Sequence, residues 1–155
     1  MGIEIERKYL VDKKALPCLE KGKYIAQGYI DTQSNTTVRA RIKGNTGYLT
    51  LKGENTGISR SEFEYEIPVN DAQEIIETLC RGKVVEKTRY EINVGNHLWE
   101  IDIFHGENDG LIVAEIELSQ EDEHFEMPEW VTEEVSGQPR YYNSSLLSSP
   151  YSSWN

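Results

Sequence analysis

The side chains best equipped for chemistry stand in rows. Glu4, Glu6 and Lys8 alternate with Ile3, Ile5 and Tyr9. Arg39 and Arg41, with Lys43, alternate with Val38, Ala40 and Ile42. Lys52 shares a parity with Thr50 against Leu49 and Leu51. Arg60, Glu62 and Glu64 oppose Phe63 and Tyr65, while Lys87, Arg89 and Glu91 form another row. Glu100 and Asp102 oppose Trp99 and Ile101, and Glu115 and Glu117 oppose Ala114 and Ile116. In an extended chain successive side chains point to opposite faces, so each row occupies one face of a strand. Grouped Arg and Lys suit a polyanion, with Arg offering paired donors to phosphate. Grouped carboxylates suit hard divalent cations such as Mg²⁺ or Mn²⁺, which bind oxygen and often share phosphate ligands with a substrate. The combination describes a metal–polyphosphate site, in which metal neutralises oxygens and acidifies water. No Walker-type glycine loop is present, so side chains must hold the phosphates.

A single sheet with one wet face would also alternate. Like charges on neighbouring strand positions repel, however, and seven such rows waste stability on an open face. Closing about eight strands into a barrel turns the rows inward, around space for side chains or one small ligand. The lumen would then hold Glu4, Glu6, Glu62, Glu64, Glu100, Asp102, Glu115 and Glu117, facing Lys8, Arg39, Arg41, Lys52, Lys87 and Arg89. Buried charge on this scale is costly unless paired or occupied, which itself points to a function.

The elements follow from period-two runs punctuated by turn residues. Strands are expected at Ile3–Val11, Tyr24–Thr32, Thr37–Lys43, Gly47–Gly53, Ser59–Pro68, Lys83–Val94, His97–Phe104 and Leu111–Ser119. Short separators such as Gly44-Asn45-Thr46-Gly47 and Gly95-Asn96 imply hairpins. Three helical pieces should cover the outward apolar faces. They are Lys13–Leu19, interrupted by Pro17; Asn70–Cys80, capped by Asn70 and stopped by Gly82; and the tail after Pro139, with Tyr141, Tyr142, Leu146 and Leu147. Glu133-Glu134 after Thr132 suggests a further turn. The fold class is mainly β (α+β): a closed, antiparallel, eight-stranded tunnel with a charged lumen and a few covering helices, forming one domain over residues 1–155.

Composition narrows the class. The chain has 155 residues, 16 Lys plus Arg and 27 Asp plus Glu, for a net charge of −11. Such a balance repels a nucleic-acid polymer. No apolar run approaches a membrane span, no secretory h-region opens the chain, and Cys18 and Cys80 do not make a disulfide framework. A cytoplasmic protein with reduced thiols is expected. His97, His105 and His124 show no ligand spacing.

The residues in order resemble a known family. Glu4-Ile5-Glu6-Arg7-Lys8 has the ExExK form, followed by Val38-Arg39-Ala40-Arg41, Leu51-Lys52, Arg60-Ser61-Glu62-Phe63-Glu64, Glu86-Lys87-Thr88-Arg89-Tyr90, Glu100-Ile101-Asp102 and Glu115-Ile116-Glu117. Together they resemble the CYTH superfamily, the triphosphate tunnel metalloenzymes, from Ile3 to the Pro139-Arg140-Tyr141-Tyr142-Asn143 tail. The compact form is most similar to short bacterial inorganic triphosphatases. The resemblance implies metal-dependent hydrolysis of tripolyphosphate to pyrophosphate and phosphate, with two Mg²⁺ or Mn²⁺ ions. Glu4, Glu6, Asp102, Glu115 and Glu117 would be metal ligands, joined by Glu62, Glu64 and Glu100. Lys8, Arg39, Arg41, Lys52, Lys87, Arg89 and Arg140 would hold triphosphate. Lys87 and Tyr29, with Lys8, would serve catalysis, Lys87 and Tyr29 as a water-activating dyad; carboxylate activation of water is the competing scheme. The family also includes adenylate cyclases of class IV and thiamine or nucleoside triphosphatases, and a non-catalytic polyphosphate sensor is a reading from another class. A monomer or homodimer is expected.

Several charged residues have plainer readings. Glu66, Glu91 and Lys43 fit a solvated rim, Arg7 a surface, and Arg140 a partner of Glu133 or Glu134. Trp99, Trp130 and Trp154 read as packing.

Overall fold

A computed structural model describes residues 2–154. It holds nine strands: β1 (Ile3–Val11), β2 (Lys23–Ile30), β3 (Thr37–Lys43), β4 (Thr46–Lys52), β5 (Ser59–Ile67), β6 (Val84–Val94), β7 (His97–Phe104), β8 (Ile112–Glu117) and β9 (Val131–Glu134). One α-helix, α1 (Val69–Thr78), joins β5 to β6. The strands run in the order β5-β4-β3-β2-β6-β7-β8-β1-β9, and a β5–β1 pairing closes the first eight into an antiparallel barrel.

The closing strand is divided between two partners. β1 meets β5 only through Ile3–Ser61, Glu4–Arg60 and Ile5–Ser59. Further along, the same edge pairs with β9 at Tyr9–Glu134 and Val11–Val131. Its other edge is held by β8 from Glu6 to Leu10.

The apolar parity of the strands builds the outer layer. Tyr9, Trp99, Ile101, Ala114, Ile116 and Trp130 form one buried cluster, with Phe125 packed against it. Trp99 and Trp130 meet edge-on at 5.5 Å. On another flank α1 lays Ala72 and Ile76 on the barrel. Glycines make the close approach possible. A Cβ on Gly47 would stand 2.9 Å from the Ala72 Cβ, and one on Gly28 2.7 Å from the Cys80 Sγ. A second cluster of Tyr29, Val85, Phe104, Leu111, Val113 and Leu146 is completely or nearly buried. Val85, Phe104 and Val113 carry the same strand parity as Lys87, Asp102 and Glu115. This cluster therefore fills the barrel beneath β2, β6, β7 and β8, with Leu146 inserted from the tail.

The expected helices shrink. Lys13–Leu19 keeps one 3₁₀ turn, Lys13–Ala15, because Leu16 is already extended ahead of Pro17. The tail is three 3₁₀ turns, Pro139–Tyr141, Ser145–Leu147 and Tyr151–Ser153, separated by extended residues or breaks rather than joined into one helix. Helix α1 starts before the expected cap: Pro68 occupies the N-cap with no side-chain bond, and Asn70 lies inside the helix. Glu133 and Glu134 belong to β9 rather than a helical turn, because pairing with β1 decides their conformation.

Candidate functional site

The register of the sheet brings the charged rows together. β1 and β8 set Glu6 opposite Glu117 and Lys8 opposite Glu115. β4 and β5 set Lys52 opposite Glu62 and Thr50 opposite Glu64. β6 and β7 set Arg89 opposite Asp102, and β7 and β8 set Glu100 opposite Glu115. The rows enclose a cavity of about 220 Å³. Of the site residues expected from sequence, all but Asp102 and Arg140 line it.

Most of the acids are held by cations. Glu4 accepts from Arg60 at 3.1 Å and from Lys52 at 3.2 Å. Burial alone would raise the Glu4 carboxyl, but Lys52 and Arg60 outweigh it and hold it below the ordinary range. Glu115 meets Arg89 at 3.0 Å and Lys8 at 3.4 Å. These cations likewise outweigh its burial and keep it well below the ordinary range. Glu100 meets Arg89 at 3.2 Å, yet burial still raises its carboxyl. Glu62 meets Lys52 at 3.3 Å, and Glu64 accepts from Thr50 at 2.9 Å.

Glu6 and Glu117 differ. Neither has an ion-pair or side-chain hydrogen-bond partner among the described residues. Burial, Glu115 and Glu4 push the Glu6 carboxyl well up. Burial, Glu4, Glu62 and Glu100 raise Glu117. Two unpaired carboxyls thus face each other across one strand pair. Among the described residues no three acidic, histidine or cysteine side chains form a ready cage for an ion. Hard cations such as Mg²⁺ do not need one, since they keep waters and substrate oxygens as ligands. Oxygen donors in this arrangement fit such an ion shared with a phosphate chain.

Donors without acceptors mark the other wall. The buried Arg39 Nε has no hydrogen-bond partner, although the Arg39 Nη2 reaches Thr50 at 3.2 Å. Arg41 gives its Nε to the Gln27 Oε1 at 3.0 Å and has no carboxylate partner among the described residues. Burial, with Arg39 and Arg89 nearby, lowers its guanidinium to about 10. Unsatisfied buried donors are costly, and an anion seated between these arginines would satisfy them.

Lys87 lies deepest. Its Nζ donates to the Asp102 Oδ2 at 2.7 Å and to the Asn143 Oδ1 at 2.8 Å. Burial lowers its ammonium to about 7, despite the pull of Asp102. Tyr29, its expected partner, accepts instead from the Gln27 Nε2 at 2.7 Å; Gln27 also donates to Asn143 at 2.9 Å. Gln27 and Asn143 therefore connect the two members of the expected dyad.

Two of the expected site residues stand apart from the cavity. Asp102 is 0% exposed and is enclosed by Lys87 and a bidentate Arg89, with bonds of 2.7 and 2.8 Å. Arg89 and Lys87 outweigh burial and lower its carboxyl to about 2. It is a buried counter-ion to both cations and does not line the cavity. Arg140 lies outside the tunnel, stacked over Trp154 at 3.8 Å. Glu134, one of its two expected partners, pairs with Arg7 at 2.8 Å. The tail residues that reach the cavity are Tyr142, Asn143 and Ser144. Two further cations line the cavity: Arg60, which shares its row's parity but is absent from the expected lumen, and Lys43, which is expected at a solvated rim.

Comparison with known proteins agrees with this geometry. A model of the CYTH domain matches residues 2–148. The chain is 50% identical to an inorganic triphosphatase of Acetivibrio thermocellus over 97% of either chain. It is 36% identical to an inorganic triphosphatase of Nitrosomonas europaea, covering 92% of this chain and 95% of that one. A crystal structure of an inorganic triphosphatase superposes with a TM-score of 0.67 and 34% identity, covering 95% of each chain.

Proposed function

The chain belongs to the CYTH domain family, and on that premise we propose that it hydrolyses inorganic triphosphate to pyrophosphate and phosphate with Mg²⁺ or Mn²⁺. The observation that carries the reading is one enclosed cavity in which the unpaired Glu6 and Glu117 share space with the unsatisfied Arg39 Nε and the carboxylate-free Arg41. The family premise and the two triphosphatase relatives support the substrate. Glu6 and Glu117 would hold metal, helped by Glu4, Glu62, Glu64, Glu100 and Glu115 once substrate competes for their cations. One or two ions shared with phosphate oxygens would neutralise charge and lower the pKa of a bound water.

The chain's own residues do the rest. Arg39, Arg41, Lys52 and Arg89 orient the phosphates and stabilise charge gained in the transition state. Lys8 remains a fixed cation, because Glu115, Glu6 and Asp102 outweigh its burial and raise its ammonium. Lys87 is the proton acceptor for attacking water, since burial places it near neutrality while its bonds to Asp102 and Asn143 fix its Nζ. The reaction would run in the cytoplasm on the anhydride bonds of a triphosphate, by a monomer or a homodimer. Among the described residues no helix is long and apolar enough to cross a membrane.

The test offers purified protein tripolyphosphate, ATP and thiamine triphosphate with Mg²⁺ or Mn²⁺ and measures phosphate, pyrophosphate and cyclic AMP. Tripolyphosphate should be the preferred substrate, chelator should abolish turnover, and Glu117→Ala should do the same with the fold intact by circular dichroism. Cyclic AMP as the main product, or full turnover by the Glu117→Ala protein, would overturn the reading.

A further inference from the structure

We propose that Gln27 is a positioning residue that leaves the Arg41 guanidinium without a counter-ion and turns the Tyr29 hydroxyl proton toward the cavity. The inference rests on the triphosphate reading above, because it concerns how this same cavity is prepared for an anion.

Gln27 is 0% exposed, and its amide is bonded on both ends. Arg41 Nε can only donate, so its 3.0 Å bond fixes the Gln27 oxygen on the Arg41 side. The amide nitrogen must therefore face the other way. Its two hydrogens go to the Tyr29 Oη at 2.7 Å and the Asn143 Oδ1 at 2.9 Å. Tyr29 is an acceptor in that bond, so its own proton points elsewhere and has no acceptor among the described residues. Tyr29 lines the cavity, which is where an anion's oxygen would receive that proton.

The Asn143 oxygen is saturated in the same way. It takes the Gln27 proton and one from Lys87 at 2.8 Å. This ties the tail to the floor of the tunnel and gives the tail residue one orientation. A run of bonds with a single sense thus passes from Arg41 through Gln27 to Tyr29 and Asn143.

The neutral amide is the important choice. Most other cations of the site are matched by carboxylates: Lys52 by Glu4, Arg89 by Asp102, Lys8 by Glu115, Arg39 by Glu64. Arg41 is oriented by a neutral oxygen and keeps its full charge for a ligand. A carboxylate of the same shape at position 27 would take the Arg41 bond as an ion pair. It would also accept from Tyr29, drawing that proton away from the cavity. Stability and anion affinity should then move in different directions, because the new pair satisfies Arg41 in the empty protein.

The experiment compares wild type, Gln27→Glu and Gln27→Met. Affinity for tripolyphosphate is measured calorimetrically with chelator present, so that nothing is turned over, and Tm is measured without ligand. Turnover is measured separately with Mg²⁺. The expected result for Gln27→Glu is affinity weakened roughly ten- to a hundredfold, the worth of a hydrogen bond to a charged group, with Tm unchanged or raised. Gln27→Met removes the bonds without adding charge, so kcat should fall while affinity changes less than in Gln27→Glu. Equal affinity in wild type and Gln27→Glu would overturn the proposal. So would a lowered Tm in step with lost affinity in both variants, or identical affinity losses in the two. Should Gln27→Glu fail to fold, Gln27→Met decides alone, and unchanged kcat in it overturns the proposal. Absence of tripolyphosphate binding by wild type would instead strike the triphosphate reading.

Discussion

Glu6 keeps its proton more firmly in the folded protein than in the unfolded chain. Burial, Glu115 and Glu4 all raise its carboxyl above the ordinary value of 4.5. From that value upward to its folded value, the native state binds more protons than the unfolded state. Stability contributed by this group therefore falls as pH rises through the window. Metal-free wild-type protein should lose Tm as pH rises above 4.5, where this ionisation costs the folded state. Glu6→Gln should flatten that slope and raise Tm by several degrees near neutrality, while losing metal-dependent turnover. Differential scanning calorimetry across the window checks both, and a Glu6→Gln protein with the wild-type slope would refute the assignment. Asp102 has the opposite sign: its stabilising effect is present above 3.8 and is lost as pH falls toward about 2, so the two windows do not overlap. At this scale parity made the rows legible, because only one face of a strand can turn inward. Depth was not legible. Glu100 and Asp102 share a row, yet one borders the cavity and the other is sealed by two cations. Gln27 gave no signal, since an amide among Ile25 and Tyr29 reads as an ordinary strand residue.

Among the elements, α1 and β4 meet in a close-packed junction. Gly47 needs no unusual backbone angle; its lack of a side chain is what admits Ala72 and leaves room beside the Ile67 carbonyl. Gly47→Val should overpack that contact and cost about 1–3 kcal/mol or more, read as a lower urea midpoint with an unchanged slope. A midpoint equal to wild type would show that α1 can drift outward freely. Strand positions were readable because turn residues and alternation agree along most of the chain. The tail was not, because its tyrosines and leucines have helical spacing while its backbone follows the groove left by the barrel. Leu146 is placed by the apolar cluster beneath it rather than by local preference. β9 escaped for the same reason: four residues, two of them acidic, become a strand only because β1 presents a free edge there.

For the whole molecule, the charged lumen and the apolar filling are neighbours within one barrel. Leu146→Ala would open a void in that filling and remove the tail's anchor below Asn143. The expected loss is about 2–5 kcal/mol, with kcat reduced because Lys87 and Gln27 share Asn143. Chemical denaturation and steady-state kinetics together check it; a stable variant with normal kcat would separate the plug from the site. The net charge of −11 gave no hint of anion binding, because what matters is the local gathering of cations that the closed sheet enforces.

The divided edge of β1 also bears on the order in which the molecule is made. This first strand carries Glu4, Glu6 and Lys8, but its partners come late: the Lys8 amide donates to Ser136, 128 residues downstream. A nascent chain emerging from the ribosome has only the three-residue β5 pairing to offer β1 until β8 and β9 have been synthesised. Contacts so distant in sequence are slow to form. The mutual repulsion of the acids is thus postponed to the last stage of assembly, when the hairpins that present their counter-ions are already standing.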